Sequence, residues 1–264
     1  MIPRLVATDL DGTIVRRDGT ISRRTVTALR DIQSAGAMVV FASGRPPRWL
    51  YPVVEETGIE GPTVCSNGAQ IYDTTTNTVL KEHTLHGQIA TEIASDLRLK
   101  FDDAVFAAEI GLGFGHEPKF APGWDPPADS IVASVADLLI NPVVKLMARC
   151  PSADPDELLF IARQLVAERA SVTRSIGISL VEISKRGTDK GTALAELAAA
   201  NEIDSSQVVA FGDQSNDSSM LMWAGRSIAV GNAHQDAVSA AGEVTASVQD
   251  DGVALVLEEI IRKG

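Results

Sequence analysis

The sequence predicts an α/β protein, with a Rossmann-like parallel-sheet core interrupted by an inserted α+β unit. Three observations carry that expectation. Leu5-Val6-Ala7-Thr8 is a short apolar run that stops at Asp9, Asp11 and Gly12, and in parallel sheets the carboxyl ends of buried strands are where ligand-binding groups stand. A helix-like stretch from Ile21 to Gly36 then leads to a second apolar run, Met38 to Ala42, which ends in Ser43-Gly44-Arg45. Strand, helix and strand at this pitch form a right-handed βαβ unit. The same rhythm returns from Lys190 onward, after about a hundred residues of different character.

In order, Ser22 is the expected N-cap of the first helix, with Val26, Leu29 and Ile32 at helical spacing and Gly36 as its stop. Pro46 or Pro47 opens a second helix ending near Gly58. Thr63 to Ser66 reads as a third core strand, Asn67-Gly68 as a turn, and Gln70 to Tyr72 with Val79 to Lys81 as a small hairpin. From His83 to Ser184, helix-like segments at Ile89 to Leu97 and Pro155 to Arg169 mix with strand-like runs at Val143 to Ala148, Val172 to Arg174 and Leu180 to Ile183. Gly111 to Asp129, rich in Gly and Pro and carrying Phe114, Phe120 and Trp124, reads as a mobile loop suited to closing over a substrate. A helix from Lys190 to Ala200, a strand Val208 to Phe211, a helix from Asn216, a strand Ser227 to Val230 and a helix Val253 to Arg262 complete the core. Asp11 to Ser43 has room for one crossover, whereas Ser43 to Lys190 is far too long for one. The expected division is therefore a core of residues 1–82 and 185–264, with an inserted unit at 83–184 that selects substrate.

Composition narrows the function. A formal charge of -12 over 264 residues argues against nucleic acid, whose phosphates need a basic face. An anionic substrate must instead meet a few local cations. No run is long enough to cross a membrane and no signal-type apolar core precedes Asp9, so a soluble, cytoplasmic protein is expected. Cys65 and Cys150 lie in apolar runs and read as buried thiols. The four histidines, His83, His86, His116 and His234, show no metal-ligand spacing.

The chemistry gathers at four strand ends: Asp9 with Asp11, Ser43 with Gly44 and Arg45, the helix start at Lys190, and the loop Gly212 to Asp217. Two acids at one strand end call for a counter-charge, which a hard cation held by oxygens supplies; Mg2+ would bring phosphate as a further ligand. A calcium loop is ruled out, because its sixth and twelfth positions would be Ile14 and Thr20 instead of glycine and glutamate. A carboxylate can attack phosphorus, which makes Asp9 the candidate nucleophile. Asp11, two residues on, is the candidate acid and base. Transferring phosphoryl oxygens need cations and N–H donors, for which Lys190, Ser43, the Gly44 amide and Asn216 are the candidates, with Arg45 as a possible substrate contact. Asp213 is placed to ligate metal, and Asp217 to do so directly or through water. Singly, each of these groups is an ordinary cap, turn or solvated charge. Their joint occurrence at successive strand ends is what points to a site.

Those same motifs, D-L-D-G-T at Asp9 to Thr13, S-G-R at Ser43 to Arg45, D-K-G at Asp189 to Gly191 and G-D-x-x-N-D at Gly212 to Asp217, resemble the haloacid dehalogenase superfamily. Specifically, they resemble its Cof-like phosphatases with a large α/β cap after the third core strand. Asn67-Gly68-Ala69 and Asp251-Gly252-Val253-Ala254 match the habits of that subfamily too. The resemblance implies a Mg2+-dependent hydrolase of small phosphate monoesters, with Asp9 as nucleophile, Asp11 as acid and base, and metal held by Asp9, the Asp11 carbonyl and Asp213. It leaves open a phosphomutase on the same scaffold, or a non-catalytic regulator that binds Mg2+ or phosphate.

Overall fold

The computed structural model describes residues 2–121, 123–174 and 178–264. They fall into two compact units, Met1–Lys81 with Asp189–Gly264, and Glu82–Thr188.

The first unit opens with β1 (Leu5–Thr8), buried along its whole length. Helix α1 (Arg23–Ser34) is capped by the Ser22 side chain, which accepts from the Thr25 amide, and buries Thr25, Ala28, Leu29 and Ile32. After β2 (Met38–Phe41), the single helix expected from Pro46 or Pro47 is split into a turn of 3-10 helix at Pro47–Trp49 and α2 (Tyr51–Thr57). Pro52 explains the break, because it has no N–H to give the Arg48 carbonyl. Strands β3 (Pro62–Cys65), β4 (Gln70–Asp73) and β5 (Thr78–Glu82) form a separate three-stranded sheet in that order. The third core strand of the sequence reading thus belongs to this small sheet, and it reaches β2 through a single parallel bridge, Ala42 to Val64.

The second unit comprises α3 (Gly87–Lys100), β6 (Val105–Ile110), β7 (Gly113–His116), β8 (Ile131–Val132), α4 (Val135–Leu138), β9 (Lys145–Arg149), α5 (Pro155–Val166), β10 (Ala170–Arg174) and β11 (Leu180–Lys185). Its six strands order as β10-β11-β9-β6-β7-β8. Ile93 and Leu97 of α3 and Leu158 and Ala162 of α5 pack with Phe106, Leu146 and Val181 of the sheet. The stretch Gly111 to Asp129 departs from the mobile loop expected of it. Its first part is the β6–β7 hairpin, with Glu109 opposite Phe114. Phe114 and Phe120 are buried with Ala107, Met147 and Leu180, and Trp124 packs on them. The aromatics form a small core of their own, and Pro122 of this stretch lies outside the described residues.

The chain then returns to the first unit with α6 (Lys190–Ala200), β12 (Val208–Gly212), α7 (Ser218–Trp223), β13 (Arg226–Ala229), α8 (Gln235–Ala240), β14 (Glu243–Val244) and α9 (Gly252–Lys263). The main sheet, β14-β13-β12-β1-β2, is parallel throughout. Alternate residues of its strands feed two cores. Val6, Val209 and Phe211 join Leu29 and Leu257 on one face, while Leu5, Ala7 and Ala210 join Leu194, Leu197 and Met220 on the other. In register, Thr8 lies opposite both Phe41 and Phe211, so the residues just beyond these strands emerge side by side at one edge. Among the described residues no helix is long and apolar enough to cross a membrane.

Candidate active site

Asp9 follows the last residue of β1, and its amide donates to the Phe211 carbonyl at 3.0 Å, extending the ladder to the site itself. Lys190, the first residue of α6, is wholly buried, and its Nζ donates to Asp9 Oδ1 and to Asp217 Oδ1 at 2.6 Å each. The Asp189 side chain caps this helix by accepting from the Thr192 amide, which fixes the point from which the lysine enters. The 66–68 turn approaches just here: a Cβ on Gly68 would lie 2.1 Å from the Asp189 carbonyl oxygen, at a φ of +95°. Only glycine fits.

Asp213, just beyond β12, accepts from Thr13 Oγ1 at 3.1 Å and from Gln214 Nε2 at 2.9 Å. Thr13 Oγ1 also lies 3.4 Å from Asp9 Oδ2, so one hydroxyl spans the two carboxylates. Gly12 is pressed against the same group, where a Cβ would stand 2.4 Å from Asp213 Oδ2 at a φ of +91°.

Asp9, Asp213 and Asp217 are all buried and each offers an oxygen within 4.8 Å of the others. Ionised, they carry three negative charges against one on Lys190. Such an excess in a buried setting is strongly unfavourable unless a cation joins it. Burial pushes the Asp9 carboxyl well above its usual range, a rise that Lys190 opposes and that Asp217 and Asp213 reinforce. Asp213 is raised as well, chiefly by burial, with its bond from Gln214 acting the other way. Burial alone would lower Lys190, but Asp217 and Asp9 outweigh it and hold the ammonium above its ordinary value. An all-oxygen cluster with surplus negative charge fits a hard divalent ion.

Asp11 and Asp217 differ in how their side chains are engaged. The Asp11 side chain is outside the cluster, because the Arg45 guanidinium grips both its oxygens, Nη2 to Oδ1 at 2.5 Å and Nε to Oδ2 at 2.8 Å. The metal-ligand candidate that the resemblance named at this residue is its main-chain carbonyl. Asp217 is in the cluster, where Oδ1 accepts from Lys190 and Oδ2 accepts from the amides of Asp213 and Gln214 at 2.9 Å. It holds the loop and the lysine in place. Arg45, expected against substrate, also donates to the Trp49 carbonyl.

The phosphate-binding candidates meet through a residue outside that group. Asn216 Nδ2 donates to Asn67 Oδ1 at 2.9 Å, and a Cβ on Gly44 would lie 3.1 Å from the same oxygen. Asn67, held at a φ of +55° and bonded through its amide to the Ser43 carbonyl, therefore ties the second loop to the fourth. Ser43 is buried and its Oγ accepts from the Arg45 amide at 3.1 Å. Of the groups missed, Thr13 and Asn67 sat inside the quoted motifs, and their polar side chains beside acid and glycine were the available signal. Among the described residues no histidine belongs to a cluster able to hold a metal.

A doubly engaged lysine among buried carboxylates stands at the carboxyl edge of a parallel sheet, where α/β proteins bind their ligands. Comparison with known proteins agrees, and the chain belongs to the haloacid dehalogenase-like hydrolases, whose family model matches residues 6–257. It is similar to the pyridoxal phosphate phosphatase of Escherichia coli (strain K12), at 27% identity over 92% of this chain and 93% of that one. It is also similar to the 5-amino-6-(5-phospho-D-ribitylamino)uracil phosphatase of Bacillus subtilis (strain 168), at 25% over 97% of each. Among solved structures, a haloacid dehalogenase-like hydrolase from Bacteroides thetaiotaomicron superposes with a TM-score of 0.81 at 25% identity, covering 98% of this chain and 99% of that one. The enzyme class is that of the phosphoric monoester hydrolases.

Proposed function

We propose that this chain is a Mg2+-dependent phosphatase that hydrolyses a small phosphate monoester, a sugar phosphate or related metabolite, through an aspartyl-phosphate on Asp9. The observation that carries the reading is the buried Asp9–Lys190–Asp217 arrangement beside Asp213. Asp9, Asp213 and the Asp11 carbonyl are the groups that would hold the ion, with Asp217 behind them. When bound, Mg2+ would balance the surplus negative charge and draw the substrate phosphate to the site.

Lys190 fixes the Asp9 rotamer and places a positive charge beside the attacking carboxylate. An Asp9 oxygen forms the bond to phosphorus as the ester oxygen leaves, and Asp11 gives that oxygen its proton. Asp11 then takes a proton from water, which attacks phosphorus, and breakage of the bond to Asp9 yields phosphate and the free carboxylate. Both Asp11 oxygens accept from Arg45 in this structure. The proton-donating step therefore requires Asp11 to leave Arg45, a rotation its half-exposed position permits. Ser43, the Gly44 amide and Asn216 are the assigned phosphate contacts, and Asn67 keeps the last two in register.

Substrate choice we assign to the unit at 83–184, since every group given a chemical role lies outside it. The relatives named above act on a pyridoxal phosphate and on a phosphoribitylamino-uracil, both phosphate esters of small organic leaving groups. Phosphate release over a metabolite panel, with Mg2+ and with EDTA, tests the proposal. Turnover of at least one ester that EDTA abolishes is expected. Equal release in EDTA would exclude metal dependence, and phosphate transfer between sugars without release would favour a mutase.

A further inference from the structure

Asn232, beyond the end of β13, stands outside every motif considered so far, yet both ends of its side-chain amide are used. Its Nδ2 donates to the Gly12 carbonyl at 2.8 Å, and its Oδ1 accepts from the Val248 amide at 2.8 Å. A carbonyl accepts and an N–H donates, so the two partners fix which end of the amide is nitrogen. Gly12 is the residue pressed against Asp213, and Thr13, the next residue, spans Asp213 and Asp9. The same downstream loop takes a second grip four residues on, where Arg16 donates to the Gln249 carbonyl at 3.2 Å and pairs with Asp251 at 2.9 Å.

We infer that Asn232 is a positioning residue for the Asp9–Asp213 site: by anchoring the Gly12 carbonyl to the loop at Val248, it holds the Gly12-Thr13 segment that sets the two carboxylates relative to each other. The inference rests on the metal reading above. One hydroxyl can span both acids only while its backbone stays put, and ligand geometry must be held to roughly 0.5 Å for a site to work well. Asn232 touches neither carboxylate, so its effect passes through Gly12.

The test is calorimetric titration of Mg2+ into EDTA-stripped, dialysed full-length protein. Asn232→Ala removes both neutral hydrogen bonds of the bridge, and release of the Gly12 carbonyl should raise the Mg2+ Kd roughly three- to tenfold. The melting temperature of the metal-free variant should fall by no more than about 5 °C, because the bond to Gly12 is solvent-exposed and the one from Val248 only part-buried. Thr13→Val should also raise Kd, and the double variant should bind more tightly than the product of the two effects predicts, since both act on one segment. Val248→Pro serves if Asn232→Ala does not fold. It deletes the anchoring N–H at the first position of a helical turn, after a Ser247 already extended at ψ 166°, where proline is tolerated; a rise of about twofold is expected, somewhat less than for a full hydrogen bond. Unchanged Kd in the Asn232 variant, or effects that multiply in the double variant, would overturn the positioning role. Wild-type protein that binds no Mg2+ would instead overturn the metal reading.

Discussion

Replacing Lys190 by Met should turn the buried cluster from a paired arrangement into an uncompensated one. The side chain is wholly buried and its Nζ makes two 2.6 Å contacts, to Asp9 and Asp217. Methionine keeps the apolar stem and removes the charge, leaving three carboxylates within 4.8 Å of one another with no cation among them. Removing one partner of a buried ion pair costs about 3–5 kcal/mol. For a core of this size that corresponds to a fall of roughly 10 °C in melting temperature. Scanning calorimetry on EDTA-treated protein reads it directly. Saturating Mg2+ should return part of the loss, because a ligand bound only by the folded state stabilises it by mass action. Phosphate release should fall to background in either case. A metal-free variant as stable as wild type would refute the reasoning, since it would mean that the carboxylates shed their charge at no cost when the lysine is gone.

Asp9→Asn should abolish turnover while leaving the far-ultraviolet dichroism unchanged, and wild type should be inhibited by beryllofluoride, with full activity in the variant counting against the nucleophile assignment. Asp213→Ala should weaken Mg2+ binding by more than the roughly 10–100-fold typical of lost outer support; unchanged affinity in calorimetry would shift the ligand role to Asp217. Gly12→Ala forces a Cβ to within 2.4 Å of Asp213 Oδ2 at a positive φ, so a loss of about 1–3 kcal/mol in a denaturation curve is expected. In metal-free protein the raised Asp9 and Asp213 carboxyls bind protons more tightly folded than unfolded. The stability they contribute is present below the ordinary carboxylate range and lost as pH rises through the raised values. The gap in melting temperature between Mg2+-loaded and metal-free protein should therefore widen from about pH 4 to pH 7, and a constant gap would contradict those shifts.

The core was legible because its signals are local. Leu5 to Thr8 announces a buried strand, the acids that follow announce its functional end, and the Lys190 helix start carries its own cap in Asp189. The hairpin at β6 and β7 was not, because Gly111, Gly113 and Gly115 read as a loop. Gly111 is indeed the turn, at a φ of +58°, but a Cβ at Gly115 would meet Leu138 Cδ2 at 2.5 Å, so that glycine serves the packing of α4 on a strand. Nothing near Gly115 in the sequence mentions Leu138. The same limit applies to the pairing of Asp11 with Arg45 and to the anchoring of Gly12 by Asn232, contacts that span 34 and 220 residues. Residue types can be read in place, whereas their partners depend on how distant strands come into register.

The position of β1 has a consequence for how the molecule is made. Its neighbour β2 follows within about forty residues of the chain, but its other neighbour, β12, begins at Val208. During synthesis the strand that leads to Asp9 pairs on one side early and keeps the other edge open until β12 emerges at Val208, after the whole of the second unit. Unpaired edges of this kind invite association with other chains, and long-range parallel pairing is slow to form. The Glu82–Thr188 unit, continuous in sequence and with a hydrophobic core of its own, is able to fold during that interval. Lys190, Asp213 and Asp217 arrive after that unit, so the three-carboxylate cluster exists only once β12 has joined the sheet. Partly synthesised or truncated chains would carry Asp9 without its counter-charge.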